Sequence, residues 1–285
     1  MVVAATERRV KPTVPVLSTG WRQRKVPEIT AYFWIIKVLT TAMGEATSDY
    51  MVHRFNPFVA VAIGAVGFSA AMLLQLGVRH YIAAVYWLAV VMVAVFGTMV
   101  ADATHIELGV PYATSSATFA LLLAVIFIAW YRIEGTLSIH SILTLRRELF
   151  YWATVCATFA LGTAVGDMTA LTLHLGFLAS GFLFAVVIVL PALAHRVGAI
   201  NPVVAFWFAY VVTRPLGASF ADWMGVPHAL GGLNWGRGTV SVSLTILIVG
   251  FVAYLSVTRL DVSREPALRV AADGAADPGG YHPQS

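Results

Sequence analysis

The stretch FWIIKVLTTAMGEATSD, Phe33 to Asp49, decides the fold, because its framework returns three more times without a gap. An aromatic residue precedes Trp34, Gly44 follows ten positions after that Trp, and Asp49 follows fifteen after it. The same offsets give Tyr86, Trp87, Gly97 and Asp102; then Tyr151, Trp152, Gly162 and Asp167; then Phe206, Trp207, Gly217 and Asp222. Four positions recurring four times mark a tandem repeat, in which each unit buries its apolar surface against its neighbours.

Outside this framework the chain is strongly apolar. Of 285 residues, 59% are hydrophobic and 11% charged, a balance that excludes an ordinary soluble domain and identifies an integral membrane protein. A hydrocarbon core of about 30 Å needs about 20 apolar helical residues. Eight such stretches lie near residues 30–51, 57–78, 80–101, 113–131, 149–170, 173–194, 202–222 and 239–258. The expected fold is therefore all-α: eight transmembrane helices formed by four parallel two-helix repeats, about 30–78, 80–131, 149–194 and 202–258. The connection YRIEGTLSIHSILTLRRE is the longest inside the membrane domain and is expected to divide it into two four-helix halves. Residues 1–29, basic and Pro-containing, and residues 259–285, rich in Gly, Pro, Ala and Asp, read as disordered tails.

Lys and Arg set the orientation. With the N-terminus inside, the inner segments hold six basic residues of the first tail, Arg79, Arg132, Arg146, Arg147, Arg196, Arg259, Arg264 and Arg269. The outer loops hold Arg54 and Arg237. Both termini are expected in the cytoplasm, and the protein as multi-pass in a bacterial inner membrane. The basic residues are a topology signal, so the lipid bilayer and not nucleic acid is the expected partner. A single cysteine, Cys156, precludes an intramolecular disulfide and a cysteine-based metal site.

At about 100° per residue, offsets of seven, eleven, fourteen and fifteen all return to within about 60° of the Trp. That face is mostly small or polar: Thr41, Ala94, Phe159 and Arg214 at offset seven; Glu45, Thr98, Thr163 and Ala218 at offset eleven; Ser48, Ala101, Gly166 and Ala221 at offset fourteen. Such a stripe suits helix packing in a shared interior and not contact with lipid. The recurrent Gly marks a close helix crossing. Asp49, Asp102, Asp167 and Asp222, with Glu45 one turn inward, are then expected to converge as an all-oxygen site for a hard or borderline divalent cation. The bland alternative is that each Asp ends its helix.

Departures from fourfold sameness single out Lys37, Glu45 and Arg214. Lys37 requires a partner, with Glu45 or a neighbouring helix to supply it; Arg214 is expected to pair with Glu45 or one of the Asp residues. Pro215 is expected to break its helix. His53, His105, His174 and His228, with Glu107, follow the Asp residues at unequal offsets, the pattern of ordinary loop histidines and not of a metal motif. The Trp residues read as packing pieces or interface anchors near the inner side, and an aromatic cation cage is the lesser reading. No hydrolase, phosphate-binding or dinucleotide-binding signature appears, so no enzyme activity is expected.

The run KVPEITAYFWIIKVLTTAMGEATSD, with the repeated Trp, Gly and Asp, resembles a bacterial family of uncharacterised membrane-anchored proteins built from a repeat of unknown function, over roughly residues 25–258. Relatives typically resemble GETGGD where this chain reads GEATSD, so a flexible turn there is in question. The resemblance implies no activity. Residue chemistry alone leads to a secondary transporter of a divalent metal cation, exporting it in exchange for protons. In that reading the four Asp residues bind the cation, Glu45 carries it or a proton, and Lys37 and Arg214 respond to its arrival. No resident cofactor is implied, and a homo-oligomer is compatible. The alternatives are transport of an organic cation and a non-transporting membrane scaffold or sensor.

Overall fold

A computed structural model describes residues 24–106 and 108–262. The expectations for residues 1–23, Glu107 and 263–285 lie outside them. Nine α-helices follow one another among the described residues: α1 Ala31–Arg54, α2 Pro57–Gly77, α3 Ala83–Ile106, α4 Tyr112–Glu134, α5 Leu145–Asp167, α6 Phe177–Val187, α7 Leu190–Arg196, α8 Pro202–Gly225 and α9 Arg237–Thr258. Local chemistry places the helix starts. Thr30, Asn56, Thr144 and Asn201 cap α1, α2, α5 and α8 through side-chain oxygens that accept backbone N–H bonds, and Pro57 and Pro202 occupy first helical positions, where a missing N–H costs nothing.

Among the described residues, seven segments are long and apolar enough to cross a membrane: Pro57–Gly77, Ala83–His105, Tyr112–Glu134, Leu145–Thr172, Phe177–Arg196, Pro202–Gly225 and Arg237–Thr258. Helix α1, of 24 residues, has the length but carries Lys37, Glu45, Asp49 and Arg54. The expected span at 173–194 is not one helix. A π-helical turn, Met168–Thr172, extends α5, and the return path is divided into α6 and α7, with Pro191 in the first turn of α7.

The four framework helices form a closed ring: α1 packs on α3, α3 on α5, α5 on α8, and α8 on α1. Each plainer helix lies outside the ring and packs chiefly on the framework helix of the next repeat. Thus α2 covers α3, α4 covers α5, α6 and α7 cover α8, and α9 returns to cover α1. This cyclic shift corrects one expectation: the long connection does not separate two halves, because α4 and α5 on either side of it are packed together. The connection is itself anchored, with Ile139 and Ile142 buried and the carbonyl of Leu137 accepting a hydrogen bond from Trp207 Nε1 at 2.9 Å.

Contacts at fixed offsets show that the ring helices run parallel and in register. The aromatic before each Trp touches the Trp of the next copy: Phe33 with Trp87, Tyr86 with Trp152, Tyr151 with Trp207, and Phe206 with Trp34, at centroid distances of 5.7, 5.7, 6.2 and 5.7 Å. Each such pair contributes about 0.5–1.5 kcal/mol beyond area burial. Higher in the ring, a Cβ added at Gly44 would strike Ala94, at Gly97 Phe159, at Gly162 Arg214, and at Gly217 Thr41. Every Gly at offset ten therefore receives the offset-seven residue of the next copy, a crossing that no larger residue permits.

Segments assigned to the tails close the aromatic end. Val26 is buried, Lys25 donates to Glu148 at 2.7 Å and to the Leu76 carbonyl at 3.1 Å, and Gln75 donates to Glu148 at 3.2 Å. Glu28 pairs with Arg24 and His140, and its N–H bonds to the carbonyl of Asp261. The Tyr81 hydroxyl donates to the buried Asp261 carboxylate. Burial and that carboxylate together push the Tyr81 hydroxyl far above its ordinary range. Residues 24–30 are ordered here because their charges find partners on the ring; the sequence placed most of them in a disordered tail.

Candidate functional site

The interior of the ring is layered. Trp and its aromatic neighbour occupy one end, offsets seven to eleven the middle, and the Asp residues the other end, about 22 Å from the Trp at 1.5 Å per residue. In the middle, fourfold repetition fails in a coordinated way. Arg214 from the fourth repeat is fully buried, and its guanidinium donates to Glu45 of the first at 2.6 Å, to the Thr98 hydroxyl of the second, and to the Thr163 hydroxyl of the third at 2.6 Å. It also reaches the carbonyl of Thr41 at 3.2 Å, while its Nε has no partner. Thr98 lies 3.4 Å from the same Glu45 oxygen. One residue from each repeat thus meets on the ring axis. Offset eleven holds Ala218 in the fourth copy, which leaves Arg214 to extend into that layer from one turn below.

Pro215 follows Arg214 without breaking α8, which runs from Pro202 through Gly225. Its ring lies against the positions of Gly162 and Gly166 on α5, so the proline is a packing surface for two glycines and not a break in the helix. The Gly-Glu-Ala-Thr-Ser-Asp stretch is likewise helical, within α1. Thr47 shares a 2.6 Å hydrogen bond with Ser241 of α9, which ties the outer helix to the ring.

The carboxylates do not all converge. Glu45, Asp167 and Asp222 each bring an oxygen to within 4.8 Å of the others. Asp49 turns aside, its Oδ2 accepting from Arg237 Nε at 2.7 Å at a partly exposed rim. The sequence placed Arg237 in a loop; it begins α9, which packs on α1 and so reaches Asp49. Asp102 is near enough to feel Glu45, Asp49 and Asp167 but stands outside the close trio. Asp102, Asp167 and Asp222 have no hydrogen-bond or ion-pair partner among the described residues, and Asp102 and Asp167 keep part of their surface exposed. The donor set fits one hard cation. Ligands around Mg²⁺ or Ca²⁺, at about 2.1–2.6 Å, are at most about 4–5 Å apart.

Lys37 does not reach Glu45, which is engaged by Arg214. Its Nζ is buried without a hydrogen-bond partner, 4.0 Å from the ring centroid of Phe159 and 4.2 Å from that of Tyr210. Arg214 lies near the same Phe159 ring, its Cζ 5.2 Å from the centroid. A buried amine therefore sits over aromatic faces, but these belong to Phe159 and Tyr210 and not to the framework Trp residues. The sequence singled Lys37 out as an exception that needs a partner; only the neighbouring helices identify what it faces.

The histidines are occupied locally. His53 Nδ1 bonds the Asp49 carbonyl at 2.7 Å, His105 that of Val110 at 3.1 Å, and His228 that of Gly232 at 2.8 Å. His174 sits at the end of the π-turn in a left-handed conformation. The one metal-compatible group among the described residues is the carboxylate trio.

The family model described as Repeat of Unknown Function (DUF347) matches the chain four times, at residues 32–81, 85–136, 150–197 and 205–261. No curated protein and no solved structure matches it.

Proposed function

We propose, from the premise that the chain belongs to the DUF347 repeat family and that this family's description carries no activity, that it is a membrane transporter of a divalent metal cation. The observation that carries the reading is the convergence of Glu45, Asp167 and Asp222 from three repeats beside a guanidinium that already engages one of them. Carboxylates inside a membrane bundle are costly unless they pair, protonate or bind a cation, and Asp167 and Asp222 lack a partner among the described residues. Arg214 acts as an internal competitor: it holds Glu45, and an arriving cation shares or displaces it.

In this reading α1 is an eighth span, its charges turned into the ring and its lipid side covered by α9. The aromatic end, where Arg24, Lys25, Arg146, Arg147 and Arg259 lie, faces the cytoplasm of a bacterial inner membrane, with both termini on that side. The carboxylate end faces outward. The closed aromatic end and the partly exposed Asp102 and Asp167 correspond to an outward-facing state, and the cycle exports the cation in exchange for protons. No enzymatic step is assigned.

The test is manganese(II) transport by the purified full chain in proteoliposomes. Asp167→Asn and Asp222→Asn are expected to reduce transport at least tenfold without loss of folded protein, while Asp49→Asn retains it, because Asp49 is bonded to Arg237. Unchanged transport in Asp167→Asn and Asp222→Asn would overturn the cation site. Absence of transport by the wild-type chain across a panel of divalent cations would leave a static membrane scaffold as the reading.

A further inference from the structure

We propose that Lys37 is the proton-exchanging group of this transporter, releasing one proton toward the aromatic end when a cation occupies the carboxylate trio. The inference rests on the transport reading above and assigns its coupling ion to a residue outside the cation ligands.

The argument begins with what Lys37 lacks. An amine buried without an acceptor is expensive, and the usual structural remedy, a carboxylate, is absent from its surroundings. Glu45, the one acid on its own helix that points into the ring, is held by Arg214. The groups that face Lys37 are Phe159 from α5, and Tyr210 and Arg214 from α8. A methionine would fill the same space at no such cost, so packing does not explain a lysine here. Arg214 cannot give up its charge at any accessible pH, whereas a lysine amine can. Of the two basic groups beside the Phe159 ring, Lys37 is therefore the one able to answer a change in charge.

Its position supplies the coupling. Two turns separate Lys37 from Glu45 along α1, with Arg214 between them. When a divalent cation binds Glu45, Asp167 and Asp222, Arg214 loses part of its claim on Glu45, and the positive charge seen by Lys37 rises. Lys37 then sheds its proton: the N–H bond breaks, its electron pair stays on nitrogen, and the proton leaves toward the aromatic end. The hydroxyls on that side are Tyr210, whose oxygen has no hydrogen-bond partner, and Tyr151 and Tyr86, which share a hydrogen bond. Beyond them Tyr81 donates to Asp261 at the ring's edge. Tyr151 and Tyr86 can hand a proton from one to the other, each ending neutral, and water at that end receives the one proton that Lys37 releases.

The experiment uses the full chain in proteoliposomes, with manganese(II) as the probe and a pH-sensitive dye in the lumen. In the wild type, net manganese movement is expected to drive proton movement the opposite way. Lys37→Met is expected to reduce that proton flux at least tenfold while exchange of manganese for manganese continues. Proton flux per manganese in Lys37→Met equal to wild type overturns the inference, as does a wild type that moves manganese with no proton. Both outcomes leave the carboxylate site standing. A wild type that moves no divalent cation defeats the transport reading instead. Should Lys37→Met fail to fold, Lys37→Arg decides: it keeps bulk and charge but cannot release a proton, so wild-type proton flux in that variant also overturns the assignment.

Discussion

The two ends of the same four helices follow different rules. At the aromatic end each copy makes the contact its neighbours make, Phe33 on Trp87, Tyr86 on Trp152, Tyr151 on Trp207 and Phe206 on Trp34. In the middle and at the carboxylate end each copy contributes something different, and Glu45, Thr98, Thr163 and Arg214 meet at one point. Similar residues at equivalent ring positions produce a nearly uniform seal. Unequal residues, brought to the axis by the same scaffold, produce a single asymmetric centre. The repeat builds the ring, and loss of symmetry supplies a place where charge can be bound.

Substitutions can break this contrast, and the largest effect is expected at the centre. Glu45→Leu strands a fully buried guanidinium and should lower stability by about 3–5 kcal/mol, whereas Glu45→Leu with Arg214→Met should recover most of the loss. Thermal unfolding in detergent micelles measures both, and a double variant no better than the single would show that the pair is not the unit. At the aromatic end, fourfold equivalence predicts similar costs of about 3–5 kcal/mol for Trp87→Ala, Trp152→Ala and Trp207→Ala in the same assay. Trp34→Ala should cost less, since Trp34 is only partly buried. Widely unequal costs among the three buried Trp residues would refute equivalence.

Smaller effects sharpen the comparison. Gly162→Ala forces a methyl against the Arg214 side chain and the Pro215 ring, neither able to move cheaply, and should cost about 1–3 kcal/mol. Gly250→Ala, with open space on α9, should be neutral or gain up to about 1 kcal/mol of helix propensity. Denaturant titration of the two side by side separates ring crossings from outer surface. The smallest effect is expected for Asp49→Asn. Its partner Arg237 is 30% exposed, and a rim pair of this kind contributes about 0–1 kcal/mol. A loss in unfolding midpoint comparable to that of Glu45→Leu would place Asp49 in the central network after all.

The all-α membrane architecture, the four copies and the inward face of each framework helix follow from the sequence, because apolar run length, fixed offsets and helical phase are local properties. Lys37, Glu45 and Arg214 stood out in the sequence as exceptions to the repeat, and all three lie in the ring interior. Three things depended on how the helices are placed against one another. Ring order and the sense of its cyclic shift decided that each outer helix serves the next repeat and that α9 covers α1. That placement gave Asp49 to Arg237 and removed it from the other acids, a pairing 188 residues apart in the chain. It also decided that Arg214 takes Glu45 while Lys37 faces Phe159 and Tyr210. Helical phase states which side of a helix a residue occupies; which neighbour fills the space opposite is settled only when four such sides close on a common axis.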